Sequence, residues 1–127
     1  MPTKHVSTNE APEPVGPYSQ GVISGGLLFC SGQIALDPRT GAMVEGGVDS
    51  QTERVFANLV AVLREAKMGL DNVVKTTVYL ADMADFAAMN EVYGREFGEH
   101  RPARSTVAVL TLPKNVDVEI EVIARLK

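Results

Sequence analysis

The chain has a single cysteine, two histidines, no tryptophan, and aromatic residues at only 6% of its 127 positions. One cysteine cannot close an internal disulfide, which fits a reducing compartment, and the expected location is the cytoplasm. Cys30 lies in the apolar run Leu27-Leu28-Phe29-Cys30 and reads as a buried small residue rather than a reactive thiol. Cys30, His5 and His100 show no zinc-type spacing, so neither a metal nor another cofactor is expected. No apolar run approaches the roughly 18 residues of a membrane-spanning helix, and Met1 to Pro17 lacks the apolar stretch of a secretory signal. Basic residues are outnumbered: 12 Lys and Arg against 16 Asp and Glu give a net charge of −4, with no Lys/Arg run. A phosphate backbone therefore finds little long-range attraction and few stacking rings, which disfavours nucleic acid as a partner.

What remains is an ordinary globular composition, 45% apolar and 22% charged, in a chain long enough for one domain over residues 1–127. Pro12, Pro14 and Pro17 mark residues 1–17 as an extended arm. Gly25-Gly26 separates Gln20 to Ser24 from Leu27 to Ser31 and predicts a β-hairpin. Ser50-Gln51-Thr52-Glu53 fits a capping box ahead of Val55, Phe56, Leu59, Val62, Leu63 and Ala66 at helical spacing, with Gly69 expected just past the helix end. A strand follows over Val73 to Leu80, with Val74, Thr76, Val78 and Leu80 sharing a face.

Asp82 is expected to open a second helix whose stripe is Phe86, Met89, Tyr93 and Phe97 and whose end is Gly98. Strands at Thr106 to Leu112 and Val116 to Leu126 flank Pro113-Lys114-Asn115, a spacing short enough for a hairpin. In the last strand Val116, Val118, Ile120, Val122, Ala124 and Leu126 alternate with Asp117, Glu119, Glu121 and Arg125, so two carboxylates share the opposite face. The element order ββαβαββ predicts an α+β domain with both helices on one face of a mixed sheet.

Five segments then occur in order: Gly16-Pro17-Tyr18-Ser19-Gln20, Ser31-Gly32-Gln33-Ile34, Val74-Lys75-Thr76-Thr77-Val78, Pro102-Ala103-Arg104-Ser105 and Val118-Glu119-Ile120-Glu121. Together they resemble the RidA family, also called the YjgF family, over nearly the whole chain. The resemblance implies a fold like that of the AroH-type chorismate mutases, assembled as a homotrimer with clefts between subunits. It also implies hydrolysis of 2-aminoacrylate, 2-aminocrotonate or their imine tautomers to 2-oxo acids and ammonia, the substrates being released by pyridoxal-phosphate-dependent dehydratases. Carried over by motif, Arg104 binds the substrate carboxylate and Glu119 handles the attacking water, while Tyr18, Ser31, Gly32 and Asn90 line the pocket. Thr106 stands where some members have cysteine, so a role for that thiol is lost while backbone contacts at this position survive. Glu99-His100-Arg101-Pro102 also differs: it is shorter than its counterparts and has arginine where phenylalanine often precedes the proline, which bears on pocket size.

The residue types suit this chemistry. A guanidinium donates two parallel hydrogen bonds to a carboxylate, and a glutamate in a water-poor cleft has its pKa pushed toward neutrality, where it serves as a base. Each residue also has a plainer reading: a surface ion pair for Arg104, polar-face side chains for Glu119 and Glu121, an interface aromatic for Tyr18, and a turn cap for Ser31. Glu121 is either a neighbour that repels the charge of Glu119 or a solvated group paired with Arg125. Asn90 interrupts an apolar stripe and needs a polar partner. Two other functions stand beside imine hydrolysis: an endoribonuclease or translation inhibitor, and a non-catalytic module that binds small 2-oxo acids.

Overall fold

A sheet that is apolar on one face must bury that face, and here two helices do so. The computed structural model describes residues 3–127. Its strands are β1 (Lys4–Val6), β2 (Gly21–Ser24), β3 (Leu27–Gln33), β4 (Val73–Leu80), β5 (Ala103–Ala108) and β6 (Val118–Arg125). The helices are α1 (Val48–Glu65) and α2 (Phe86–Phe97). The strands form one mixed sheet in the order β1-β2-β3-β6-β4-β5, antiparallel throughout except for the parallel pair β4 and β5.

The alternation along β6 holds: Val118, Ile120, Val122 and Ala124 are buried under the helices, while Glu119 and Glu121 project from the other face. Helix α1 buries Val55, Phe56, Leu59, Val62 and Leu63 completely. It lies so close to the sheet that a Cβ on Gly21 would stand 3.2 Å from Val62 and 3.0 Å from Leu28. Phe56 joins the helices, meeting Tyr93 and Phe97 of α2 edge-on at centroid distances of 5.8 and 5.5 Å. Cys30 is buried as expected, and burial, with a smaller contribution from the charge of Glu121, pushes its thiol up to about 12.

Several local expectations give way to tertiary structure. The arm is not free of the sheet, because Lys4–Val6 pair with β2 as a sixth, edge strand. Its return path is held by buried Gln20, whose Nε2 donates to the carbonyls of Thr8, Ala11 and Pro12 and whose Oε1 accepts from the Thr8 amide at 2.7 Å. Four such bonds, each contributing roughly 0.5–1.5 kcal/mol, fix a segment that has no regular structure.

Helix α1 begins at Val48 after Gly47, and no side chain caps it. The residues of the supposed capping box are used elsewhere. Gln51 exchanges two hydrogen bonds with Asp117 (3.0 and 2.8 Å), and Thr52 donates to the Val48 carbonyl. At the other end Lys67, not Gly69, takes the left-handed conformation (φ 61°). Asp82 caps a short 3-10 turn, Met83–Asp85, that leads into α2, which ends at Gly98 with φ 65° as predicted.

Val74 is exposed rather than facing inward with Thr76, Val78 and Leu80, because the pairing of β4 with β6 slips between Val73 and Lys75. The predicted hairpin between the last two strands does not form. Pro113–Asn115 is a 3-10 turn with Lys114 and Asn115 at φ 55°, β6 runs between β3 and β4, and β5 pairs only with β4, at the sheet's edge.

Candidate active site in two halves

Two clefts contain the candidate residues, and they lie on different sides of the sheet. The first, of about 370 Å³, is lined by Tyr18, Ser31, Gly32, Gln33, Pro113 and Glu119, among others. It exists because β3 slips register against β6 between Cys30 and Gln33, which puts the backbone of Gly32 directly under the Glu119 side chain. A Cβ at residue 32 would collide with Glu119 Oε2 and stand 2.9 Å from its Cδ, so only glycine leaves room for the carboxylate. Ser31 works mainly as a brace: its amide donates to the Gln20 carbonyl (2.9 Å) and its hydroxyl to that of Ser19 (2.6 Å). These bonds set the segment that presents Tyr18, whose ring is half exposed. The loop after β3 is anchored from below by buried Asn58, which donates to the carbonyls of Ile34 and Leu36, each at 3.0 Å.

Glu119 is half buried, and its carboxyl titrates above the ordinary glutamate range, first through loss of hydration and second through the charge of Glu121. The choice left open for Glu121 is settled by Tyr79, whose hydroxyl donates to Glu121 Oε1 at 2.6 Å. That bond, with some loss of hydration, pushes the Tyr79 phenol up.

The second cleft, of about 470 Å³, is lined by Asn90, Tyr93, Gly94, Arg101, Pro102 and Arg104. Arg104 stacks over two rings of α2, its Cζ 4.7 Å from the Tyr93 centroid and 5.4 Å from that of Phe86. Tyr93 is fixed in turn by a 2.8 Å hydrogen bond to buried Thr76. Asn90 finds the partner its position demanded: its Oδ1 accepts from Arg104 Nη1 at 2.7 Å. Among the described residues no carboxylate pairs with Arg104, so the surface ion pair is not what occupies it. Thr106 is two residues along the same face, and its buried hydroxyl has no hydrogen-bond partner among the described residues.

Register decides how the two clefts relate. Arg104 pairs with Thr76 and therefore points to the helix face, whereas Glu119 pairs with Tyr79 and points to the outer face. Within one chain, then, Arg104 and Asn90 are brought together, as are Tyr18, Ser31, Gly32 and Glu119, but the two groups are not. Gln33, Tyr93 and Arg101 join them without having been singled out; Tyr93 was legible only as core, and Arg101 only as a departure in a loop. Among the described residues no group of three or more His, Cys, Asp or Glu is placed to hold a metal ion, and no helix is long and apolar enough to cross a membrane.

The fit of Glu119 over Gly32 yields a direct prediction. Gly32→Ala should leave the fold intact, since only the end of a flexible side chain must move, yet displace the carboxylate and lower turnover roughly 10-fold or more. Comparing the melting temperature and the specific activity of this variant with those of the native protein checks it.

Similar proteins match this chain over nearly its whole length. The family model described as Endoribonuclease L-PSP matches residues 8–126. A RutC family protein of Pyrococcus abyssi is 51% identical over 124 residues, covering 98% of each chain. Reactive Intermediate Deaminase A, chloroplastic, of Arabidopsis thaliana is 46% identical over 121 residues, covering 95% of this chain and 65% of its own length. The crystal structure of E. coli TdcF with bound serine superimposes with a TM-score of 0.93 at 41% identity, covering 98% of this chain and 99% of that one. The chain belongs to the endoribonuclease L-PSP family, the RidA/YjgF family that its five motifs resemble.

Proposed function

We propose that the protein hydrolyses imine tautomers of small 2-enamino acids, such as 2-aminoacrylate and 2-aminocrotonate, to 2-oxo acids and ammonia. The site is assembled between copies of the chain in a homotrimer. The observation that carries this reading is the separation of Arg104 and Glu119 on opposite faces of one sheet. A carboxylate clamp and a base that act on the same three- or four-carbon substrate must come from different copies. Apolar side chains support the assembly: Phe29 and Val107 on the outer face are each 44% exposed, and Leu110, just beyond edge strand β5, is 98% exposed.

Arg104 offers its Nε and Nη2 side to the substrate carboxylate, because Asn90 engages Nη1 and the rings of Tyr93 and Phe86 hold the plane. Glu119 removes a proton from water as its oxygen adds to the imine carbon, and that proton passes to the nitrogen; the remaining hydroxyl proton follows as the C=O bond forms and the C–N bond breaks, so the nitrogen leaves as ammonia. Tyr18 donates its hydroxyl to the tetrahedral intermediate. Thr106 adds its unpartnered hydroxyl or its backbone on the Arg104 side. The serine held by the relative TdcF is an amino acid of the same size class, and the Arabidopsis relative is named as a deaminase of reactive intermediates, a class that takes in this reaction. The ribonuclease in the family model's name finds less support, since the net charge of −4 offers an RNA backbone little attraction. The protein is expected to act in the cytoplasm.

A coupled assay tests the reading: a dehydratase generates the imine, and its decay and the 2-oxo acid formed are followed. Arg104→Ala should lower kcat/KM by roughly 30- to 1000-fold, Arg104→Lys should recover part of that loss, and Glu119→Gln should cost roughly 100-fold, all with folding retained. A lower melting temperature with near-native specific activity in Arg104→Ala would overturn the clamp. The pH profile supplies a second check. Glu119 keeps its proton to higher pH than an ordinary glutamate, so kcat/KM should rise with pH through that raised value and then level off. Glu121→Gln removes the repelling charge and should move the rise to lower pH; a rise that stays in place contradicts the coupling.

A further inference from the structure

The Arg104 cleft holds a second guanidinium. Arg101 lines the same 470 Å³ as Arg104, Asn90 and Gly94, and the loop that carries it is anchored. His100 Nε2 bonds the Val73 carbonyl at 2.7 Å and Gly98 turns the chain at φ 65°. Arg101 Nη1 donates to the carbonyls of Gly98 and His100. This bonding uses one nitrogen and leaves Nε and Nη2 without a partner among the described residues. Arg104 has the same pattern, with one nitrogen on Asn90 and the rest of the fork open. Neither arginine pairs with a carboxylate among the described residues, although acidic groups outnumber basic ones in this chain. Their Cα atoms are on the order of 10 Å apart, a separation that two long side chains close over one small molecule. Gly94, one turn after Asn90, leaves the opposite wall open, for a Cβ there would meet nothing within 4 Å.

We infer that Arg101 is a specificity-determining residue that binds a second carboxylate, so that the preferred substrates are dicarboxylic imines, the 2-imino forms of four- or five-carbon dicarboxylic amino acids. The inference rests on the imine-hydrolase reading for its reaction and on the paired guanidinium groups for its selectivity. A monocarboxylic imine satisfies Arg104 and leaves the second fork to water, whereas a dianion engages both. The reaction is otherwise the same: water adds to the imine carbon, the C–N bond breaks, ammonia leaves, and a 2-oxo dicarboxylate remains, with no change of oxidation state. The enzyme that supplies such a substrate must be one that oxidises a dicarboxylic amino acid at its α-carbon.

The test compares kcat/KM for two imines made in situ, one from L-aspartate by an amino-acid oxidase and one from L-threonine by a dehydratase. It is accompanied by calorimetric binding of 2-oxoglutarate and 2-oxobutanoate. The native protein should favour the dicarboxylic imine by about 10-fold or more, Arg101→Ala should reduce that ratio by about 10-fold, and Arg101→Lys should keep part of it. Melting temperatures of both variants confirm that they are folded. A ratio unchanged in Arg101→Ala, or a native protein without preference, overturns the inference while hydrolysis itself still stands. If neither imine is hydrolysed, tighter binding of 2-oxoglutarate that Arg101→Ala abolishes upholds the paired-arginine site and removes the hydrolase reading; equal binding of the two acids overturns the site as well.

Discussion

In a pleated strand neighbouring side chains leave opposite faces, and that rule divides the candidate site of this protein. On β6 the even-numbered positions are wholly committed to the core, with Val118, Ile120, Val122 and Ala124 under α1. Glu119 therefore stands on the outer face. On β5, register with β4 turns Arg104 toward the helices. A one-residue slip of β6 would bring the charges to one face, but it would also bury Glu119 and Glu121 in place of valine and isoleucine, at a cost the core cannot absorb. The separation of the proposed clamp, Arg104, from the proposed base, Glu119, is thus a consequence of how the sheet is buried.

Both halves are built by the same device, a functional group resting on something that cannot move. Glu119 lies on bare backbone at Gly32, and its neighbour Glu121 is held by Tyr79. Arg104 lies on the rings of Tyr93 and Phe86, with Asn90 holding one nitrogen, and Tyr93 is locked through Thr76 to the middle of β4. Buried amides serve the loops in the same way, Gln20 for the arm and Asn58 for the segment after β3. Each half is organised before a partner or a substrate arrives, which limits the ordering that binding must impose.

Where local chemistry and burial agree, the chain is legible residue by residue: β4 starts and stops where its β-branched run does, and α2 ends at Gly98. The family resemblance pointed to Arg104, Glu119, Tyr18, Ser31, Gly32, Asn90 and Thr106 as candidates, and alternation along β6 showed Glu119 and Glu121 sharing a face. Legibility fails where a residue's task lies far along the chain. Gln51 and Thr52 look like a cap, yet Gln51 reaches Asp117. Pro113-Lys114-Asn115 does turn, but the strand after it inserts between β3 and β4 instead of folding back on β5. Val74 is displaced by a register slip that only the partner strand reveals. The pairing of Arg101 with Arg104 in one cleft likewise needs α2 as the opposite wall.

A site divided between copies has a signature that no single-chain site can produce. Arg104→Ala and Glu119→Gln each remove one half, and coexpressing the two inactive chains in equal amounts distributes them at random within the assemblies. A cleft that draws its arginine from one copy and its glutamate from the next is intact in about a quarter of cases, so imine hydrolysis should return to about 25% of the native rate. A mixture no more active than either variant alone would contradict the account.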